Sequence, residues 1–210
     1  MTTVVAMTSG QAAAASINYS AARRAMIDSQ LRTSGVNEPW VLAAMAALPR
    51  ENFVPETMRG AAYIDRAIPL GGGRWLAAPL VHARILAEAV PTTTDRALLV
   101  GQPDGYLAAL LRPLVGSLDT LEPGKTAEAK GAYTLVVIDG AIEQLPDALA
   151  ATLAEGGRLV TGTVSPTVTG AGVTRLAVGR KVAGEVALLP LAELGVPVLP
   201  EFAAPKRWSF

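Results

Sequence analysis

The stretch "YTLVVIDG" (133–140) is apolar for the length of a strand, with no polar alternation. A strand wet on one face alternates, whereas an unbroken apolar run of this length is covered on both faces, as in parallel sheets flanked by helices. Its neighbours repeat the theme. "RALLV" (96–100) and "GSLDTLEP" (116–123) read as strands around "GYLAALLRPLV" (105–115), a helix interrupted near Pro113. Farther on, "EQLPDALAATLAEGG" (143–157) reads as a helix ended by glycine, and "RLVTGTV" (158–164) as a further strand. Strand–helix–strand units of this length predict an α/β fold with a doubly wound, mostly parallel sheet. Then "GVTRLAVGRKV" (172–182) and "GEVALLPLAELGVPVLPEF" (184–202) lack helical spacing and predict antiparallel strands closing one sheet edge.

The first third is helical. Residues 19–34 place Tyr19, Ala22, Met26, Ile27 and Leu31 near helical spacing, and Gly35 is a natural stop. A second helix starts after Asn37, a capping residue type, with Pro39 in its first turn and Pro49 as its end. Residues 55–63 give a short helical turn, 67–79 a loop with three glycines, and 79–90 a helix. The expected organisation is a loose extension (1–18) and one domain (19–210), in which a helical lead-in and loop (19–90) precede the sheet (91–210).

Composition narrows the function. The chain has 210 residues, half of them hydrophobic, enough to bury a core. Its 18 basic residues balance 18 acidic ones, so it lacks the basic footprint of a nucleic-acid binder. With no cysteine and one histidine, disulfides, zinc–thiolate sites and cysteine nucleophiles are excluded, and no metal site is expected. No apolar run reaches the ~18–20 residues of a membrane span. A cytoplasmic protein without a membrane or nucleic-acid partner is the expectation.

Taken in order, "MIDSQLRTSGVNEPWVLAAMAALPRENFVPE", "AYIDRAIPLG", "AAPLVHARILAEAV" and "LPDALAATLAEGGRLV" resemble the protein-L-isoaspartate O-methyltransferase family, over most of the chain from Ala25 to Phe202. The resemblance implies a class I methyltransferase-like (Rossmann-type) fold. It also implies S-adenosylmethionine as cofactor, and a protein or peptide carboxylate as methyl acceptor. Carried over residue by residue, Gly101, Asp104, Gly105 and Glu122 are the cofactor-binding candidates, Glu122 standing where an acid meets ribose hydroxyls. Gly71, Gly73, Arg74, Trp75, Ala77 and Pro79 form the substrate-side loop.

Three departures from the family pattern matter. In "GQPDG" (101–105), Pro103 replaces the middle glycine of the cofactor turn, removing an N–H and the freedom for positive φ. Leu99 holds a place where the family has an acid; Asp104 is either its substitute or an ordinary turn residue. In "GGGRWLAAP" (71–79), Trp75 and Ala77 stand at the family's hydroxyl positions, and Arg74 is either a carboxylate ligand or a solvated loop residue. Finally, only ten residues, 123–132, separate Glu122 from Tyr133. A helix, a strand and a second helix cannot fit there, so an outer strand and its flanking helices are expected to be missing.

Two further residues stand out. Asp139 ends a central strand, where ligands of open α/β sheets gather, and is either a pocket acid or a helix cap. His82 is either a base or a packed helix residue, and Arg23–Arg24 reads as a solvated basic spot. Two functional readings follow: a carboxyl methyltransferase with eroded motifs and impaired activity, or a non-catalytic binding module of the same fold. In the second, a protein partner or another copy would cover the shortened sheet edge.

Overall fold

The computed structural model describes residues 17–165 and 172–205. All but two residues of the amino-terminal extension lie outside that range. Helix α1 (Tyr19–Met26) is capped by the Asn18 side chain, which accepts the Ala21 N–H at 3.0 Å. It runs on through a wider turn (Ile27–Leu31), and the chain leaves it at Gly35, whose φ of 81° suits glycine. Helix α2 (Pro39–Ala47) follows, without the expected cap: the Glu38 carboxylate turns back to accept the Asn37 N–H. Short 3-10 turns at Arg50–Phe53 and Glu56–Ala61 lead onward.

The predicted glycine loop is a β-hairpin. Strands β1 (Ile68–Gly71) and β2 (Arg74–Leu76) pair antiparallel, and Gly71, Gly72 and Gly73 all take positive φ. Three such residues in a row let the chain reverse within a turn, in a backbone conformation that other residues adopt only with strain. Helix α3 (Pro79–Ala89) follows as expected.

The main sheet comprises β3 (Arg96–Val100), β4 (Ser117–Leu121), β5 (Tyr133–Ile142), β6 (Leu153–Ser165), β7 (Val173–Val182) and β8 (Glu185–Glu193). Its order is β4-β3-β5-β6-β7-β8. The first four strands are parallel and the last two join antiparallel. Helix α4 (Tyr106–Leu111) links β3 to β4, and α5 (Asp147–Thr152) links β5 to β6. Strand β5 is buried on both faces. Leu135, Val137 and Ala141 join the core shared with α1–α4, while Tyr133, Val136, Ile138 and Ile142 join the one holding Leu149 and Phe202.

Two further predicted elements change. Helix α5 stops at Thr152, and Gly156 and Gly157 belong to β6 rather than to a helix cap. There the pairing with β5 jumps from Leu153 to Arg158, so the glycines sit in the irregular part of the ladder. Nor does the run 184–202 stay in the sheet. After Glu193 it leaves β8, and residues 197–202 lie beside the carboxyl end of β5, where the Ala141 N–H donates to Pro197 O (2.7 Å) and the Leu199 N–H to Ala141 O (2.9 Å).

The link 123–132 contains a 3-10 turn (Pro123–Glu128) and no strand, so the sheet ends at β4. This edge carries the Arg96–Asp119 ion pair (3.4 Å).

Candidate functional site

The chain goes from β3 outward to β4, then crosses back to place β5 on the other side of β3. Such a reversal splays the loops at the carboxyl ends of the strands and opens a crevice between them. A cavity of about 490 Å³ lies there, lined by Gly73, Arg74, Trp75, Gly101, Gln102, Pro103, Glu122, Pro123 and Asp139, and by residues 197–201. Its volume falls within the range of small-molecule sites. A smaller cavity of about 250 Å³ lies on the hairpin side, bounded by Asn52, Phe53, Leu70, Trp75, Asp104, Gly105 and Tyr106. Trp75, Gln102 and Asp139 line both.

The sequence candidates therefore separate. Gly73, Arg74, Trp75, Gly101, Glu122 and Asp139 come together in the larger cavity, and Asp104 and Gly105 face the smaller one. Gly71 sits in the hairpin turn, and Ala77 and Pro79 are buried where the hairpin enters α3; none of the three lines either cavity.

The turn 101–105 closes without a positive φ at either glycine. Its internal bond runs from the Gly105 N–H to Gln102 O (3.0 Å), and the Gly101 N–H donates to Leu121 O (2.9 Å). Pro103 fits this turn without strain. Glycine at 101 has a steric reason: an added Cβ would lie 3.0 Å from the Asp139 Cβ. At the end of β4, Glu122 is half exposed and pairs with Lys125 Nζ at 2.9 Å, which holds its carboxyl below the usual range. Leu99 is buried in the core.

Behind Asp139 lies a polar chain that sequence reasoning missed in part. His82 is fully buried on α3, and its Nε2 is 3.1 Å from Asp139 Oδ1. On the other side its Nδ1 is 3.2 Å from Nη1 of Arg50, which is equally buried. A guanidinium can only donate, so Nδ1 accepts, the imidazole is neutral, and Nε2–H donates to the carboxylate. Arg50 also donates to the carbonyls of Ala62 (2.8 Å) and Ala77, and its Cζ lies 4.9 Å from the Tyr106 ring centre. Burial lowers the Arg50 pKa to about 10. It therefore remains a cation at neutral pH. Burial pushes Tyr106 up to about 12, and its hydroxyl has no partner among the described residues. His82 is thus buried in the packing around α3, one of its two readings, and Asp139 lines both cavities. Arg23 is not solvated: it donates to Tyr63 Oη (2.8 Å) and pairs with Glu51 (3.2 Å). No cluster of three or more metal-ligating side chains occurs among the described residues, and no helix among them is long and apolar enough to cross a membrane.

Comparison with known proteins follows the same lines. The profile of the family described as protein-L-isoaspartate(D-aspartate) O-methyltransferase matches residues 21–121 and ends one residue before Glu122. Protein-L-isoaspartate O-methyltransferase 1 of Rhodopseudomonas palustris is 32% identical over 170 residues, covering 68% of this chain and 69% of that protein. The Koribacter versatilis protein-L-isoaspartate O-methyltransferase is 32% identical over 185 residues, covering 75% and 83%. Among solved structures, a Plasmodium falciparum protein-L-isoaspartate O-methyltransferase in complex with S-adenosyl-L-homocysteine superposes with a TM-score of 0.68 at 17% identity. That match covers 88% of this chain and 99% of the other. At that identity the likeness speaks for the fold, a class I methyltransferase fold. The sequence identities carry the lineage: this chain belongs to the protein-L-isoaspartate O-methyltransferase family.

Proposed function

We propose that this chain retains a cleft for an adenosyl ligand, S-adenosylmethionine or its demethylated product, and has lost efficient methylation of isoaspartyl carboxylates. One observation carries the second half. The smaller cavity, on the side assigned to the acceptor, is lined by the carboxylates of Asp104 and Asp139 and by no lysine or arginine. A carboxylate acceptor entering it would meet like charge at Asp104 and no cation to hold it, a repulsive arrangement. The hairpin offers no hydroxyl there, since Trp75 and Ala77 stand at those positions.

Support for the first half is the larger cavity and its fit to a nucleoside. Glu122 at the end of β4 can accept hydrogen bonds from a ribose diol, and Gly101 lines the same cavity. The shortened 123–132 link cannot wall an adenine alone, but Val198, Leu199 and Pro200 line the same cavity as Pro123. The family's reaction is methyl transfer from a sulfonium to an oxygen already ionised, so alignment of two ligands does most of the work. When bound, S-adenosylmethionine would supply the activated methyl; the residues named here bind and orient it.

The test has two arms. Titration calorimetry with S-adenosylhomocysteine should give binding in the micromolar range. An isoaspartyl peptide incubated with S-adenosylmethionine and high protein concentration should give little or no methyl ester. Ester formation at the rate of an active family member would overturn the loss of activity, and no binding at millimolar ligand would overturn the cleft.

A further inference from the structure

The cofactor's amino-acid portion carries an ammonium, and β3 offers it no acid, because Leu99 is buried among apolar neighbours. The carboxylates around the two cavities are few. Glu122 is engaged by Lys125, Glu201 lines only the larger cavity, and Asp104 only the smaller. Asp139 alone lines both.

Its geometry is that of a fixed receptor. The Asp139 Cβ abuts the bare α-carbon of Gly101, which brings the side chain to the first residue of the 101–105 turn. Oδ1 is held by His82 Nε2–H, and His82 is held in that tautomer by Arg50. Oδ2 takes no hydrogen bond from any described residue, and the side chain keeps 15% of its surface exposed, so a ligand in the cleft can reach it. The ordering of a long side chain is a large part of the cost of a charged contact, and here the protein has met it in advance. A charge-assisted hydrogen bond to a preset carboxylate is among the stronger polar contacts available.

We propose that Asp139 receives the ligand's ammonium in this cleft, replacing the acid missing from β3, and that His82 and Arg50 are its positioning residues. The inference rests on the reading that the cleft takes an adenosyl ligand. It adds a specificity: the cleft prefers adenosyl ligands with a free amino-acid portion over nucleosides without one.

Three probes separate the possibilities by calorimetry: S-adenosylhomocysteine, its N-acetyl derivative and 5′-methylthioadenosine. For the unaltered protein, S-adenosylhomocysteine should bind about tenfold or more tightly than the N-acetyl form, as expected for loss of one charge-assisted contact. Asp139→Asn keeps an oxygen to accept the His82 N–H. It should lose a similar factor for S-adenosylhomocysteine and change 5′-methylthioadenosine binding less than about twofold. Equal losses for both ligands would show that Asp139 only shapes the cleft, overturning the inference while leaving the cleft intact. Equal binding of the acetylated and free ligands by the unaltered protein would overturn it as well, whether or not the variant folds. If none of the three probes binds, the cleft reading falls and the inference with it.

Discussion

Arg50 shows how much one buried side chain can hold. Its fork satisfies two carbonyls from separate segments and fixes the His82 tautomer, all without access to water. Replacing it with alanine strands those acceptors and leaves a void beneath Tyr106. Arg50→Ala should therefore lose about 3–4 kcal/mol in urea denaturation, and Arg50→Lys, which keeps charge without the fork, should recover only part of that. Nothing in "PRENF" announces this role. The burial of Arg50 comes from α3 and α4 packing over it, a tertiary event. Asp139 was legible as a candidate, an acid ending a central apolar strand, but the choice between a pocket acid and a helix cap was not. The proline in the 101–105 turn was legible both as a departure and as part of an ordinary tight turn, and the bond from the Gly105 N–H to Gln102 O is that of such a turn.

Among the elements, the parallel strands β3, β4 and β5 followed from their apolar runs, and β3 kept its predicted limits. The hairpin was hidden by its own glycines, which mark a turn without saying what flanks it. The segment 197–202 was hidden differently: "VPVLP" has strand-like composition, yet its backbone pairs only in passing with Ala141. One signal was available. Gly140 interrupts an otherwise bulky strand, and a glycine there marks close approach by another part of the chain. That part is Leu199, which packs where a Gly140 side chain would be. Gly140→Ala should displace the segment, costing about 1–3 kcal/mol of stability and weakening S-adenosylhomocysteine binding several-fold. Adding Leu199→Ala should relieve the overlap and restore stability, so the double-mutant cycle would be strongly non-additive. Additive losses in denaturation melts would mean the two residues are not packed as described.

At the scale of the molecule, titration is informative on the alkaline side. Tyr106 titrates at about 12 when folded, against an ordinary value near 10. Between those values the unfolded chain releases the proton first, so this residue's contribution is fully present below pH ~10 and is lost towards pH ~12. Arg50 acts in the opposite direction: its folded value of about 10 lies below the unfolded one, so the penalty for burying its charge fades as pH rises. The cleanest measurement is a difference. The stability gap between the unaltered protein and Tyr106→Phe should shift against the unaltered protein by up to about 1.4 kcal/mol per pH unit in that window. A gap independent of pH would show that Tyr106 ionises as an exposed phenol does.

The wall formed by residues 197–201 also has a consequence in time. Leu199 follows Gly140 by 59 positions in the chain. At ribosomal rates of about 5–20 residues per second, strands β3 to β6 emerge several seconds before their last neighbour. The sheet can gather its core while the nucleus of the fold is already outside the ribosome, but the crevice stays open on one flank until that late segment docks. A nascent chain of this protein would thus become a folded body first and close its crevice second.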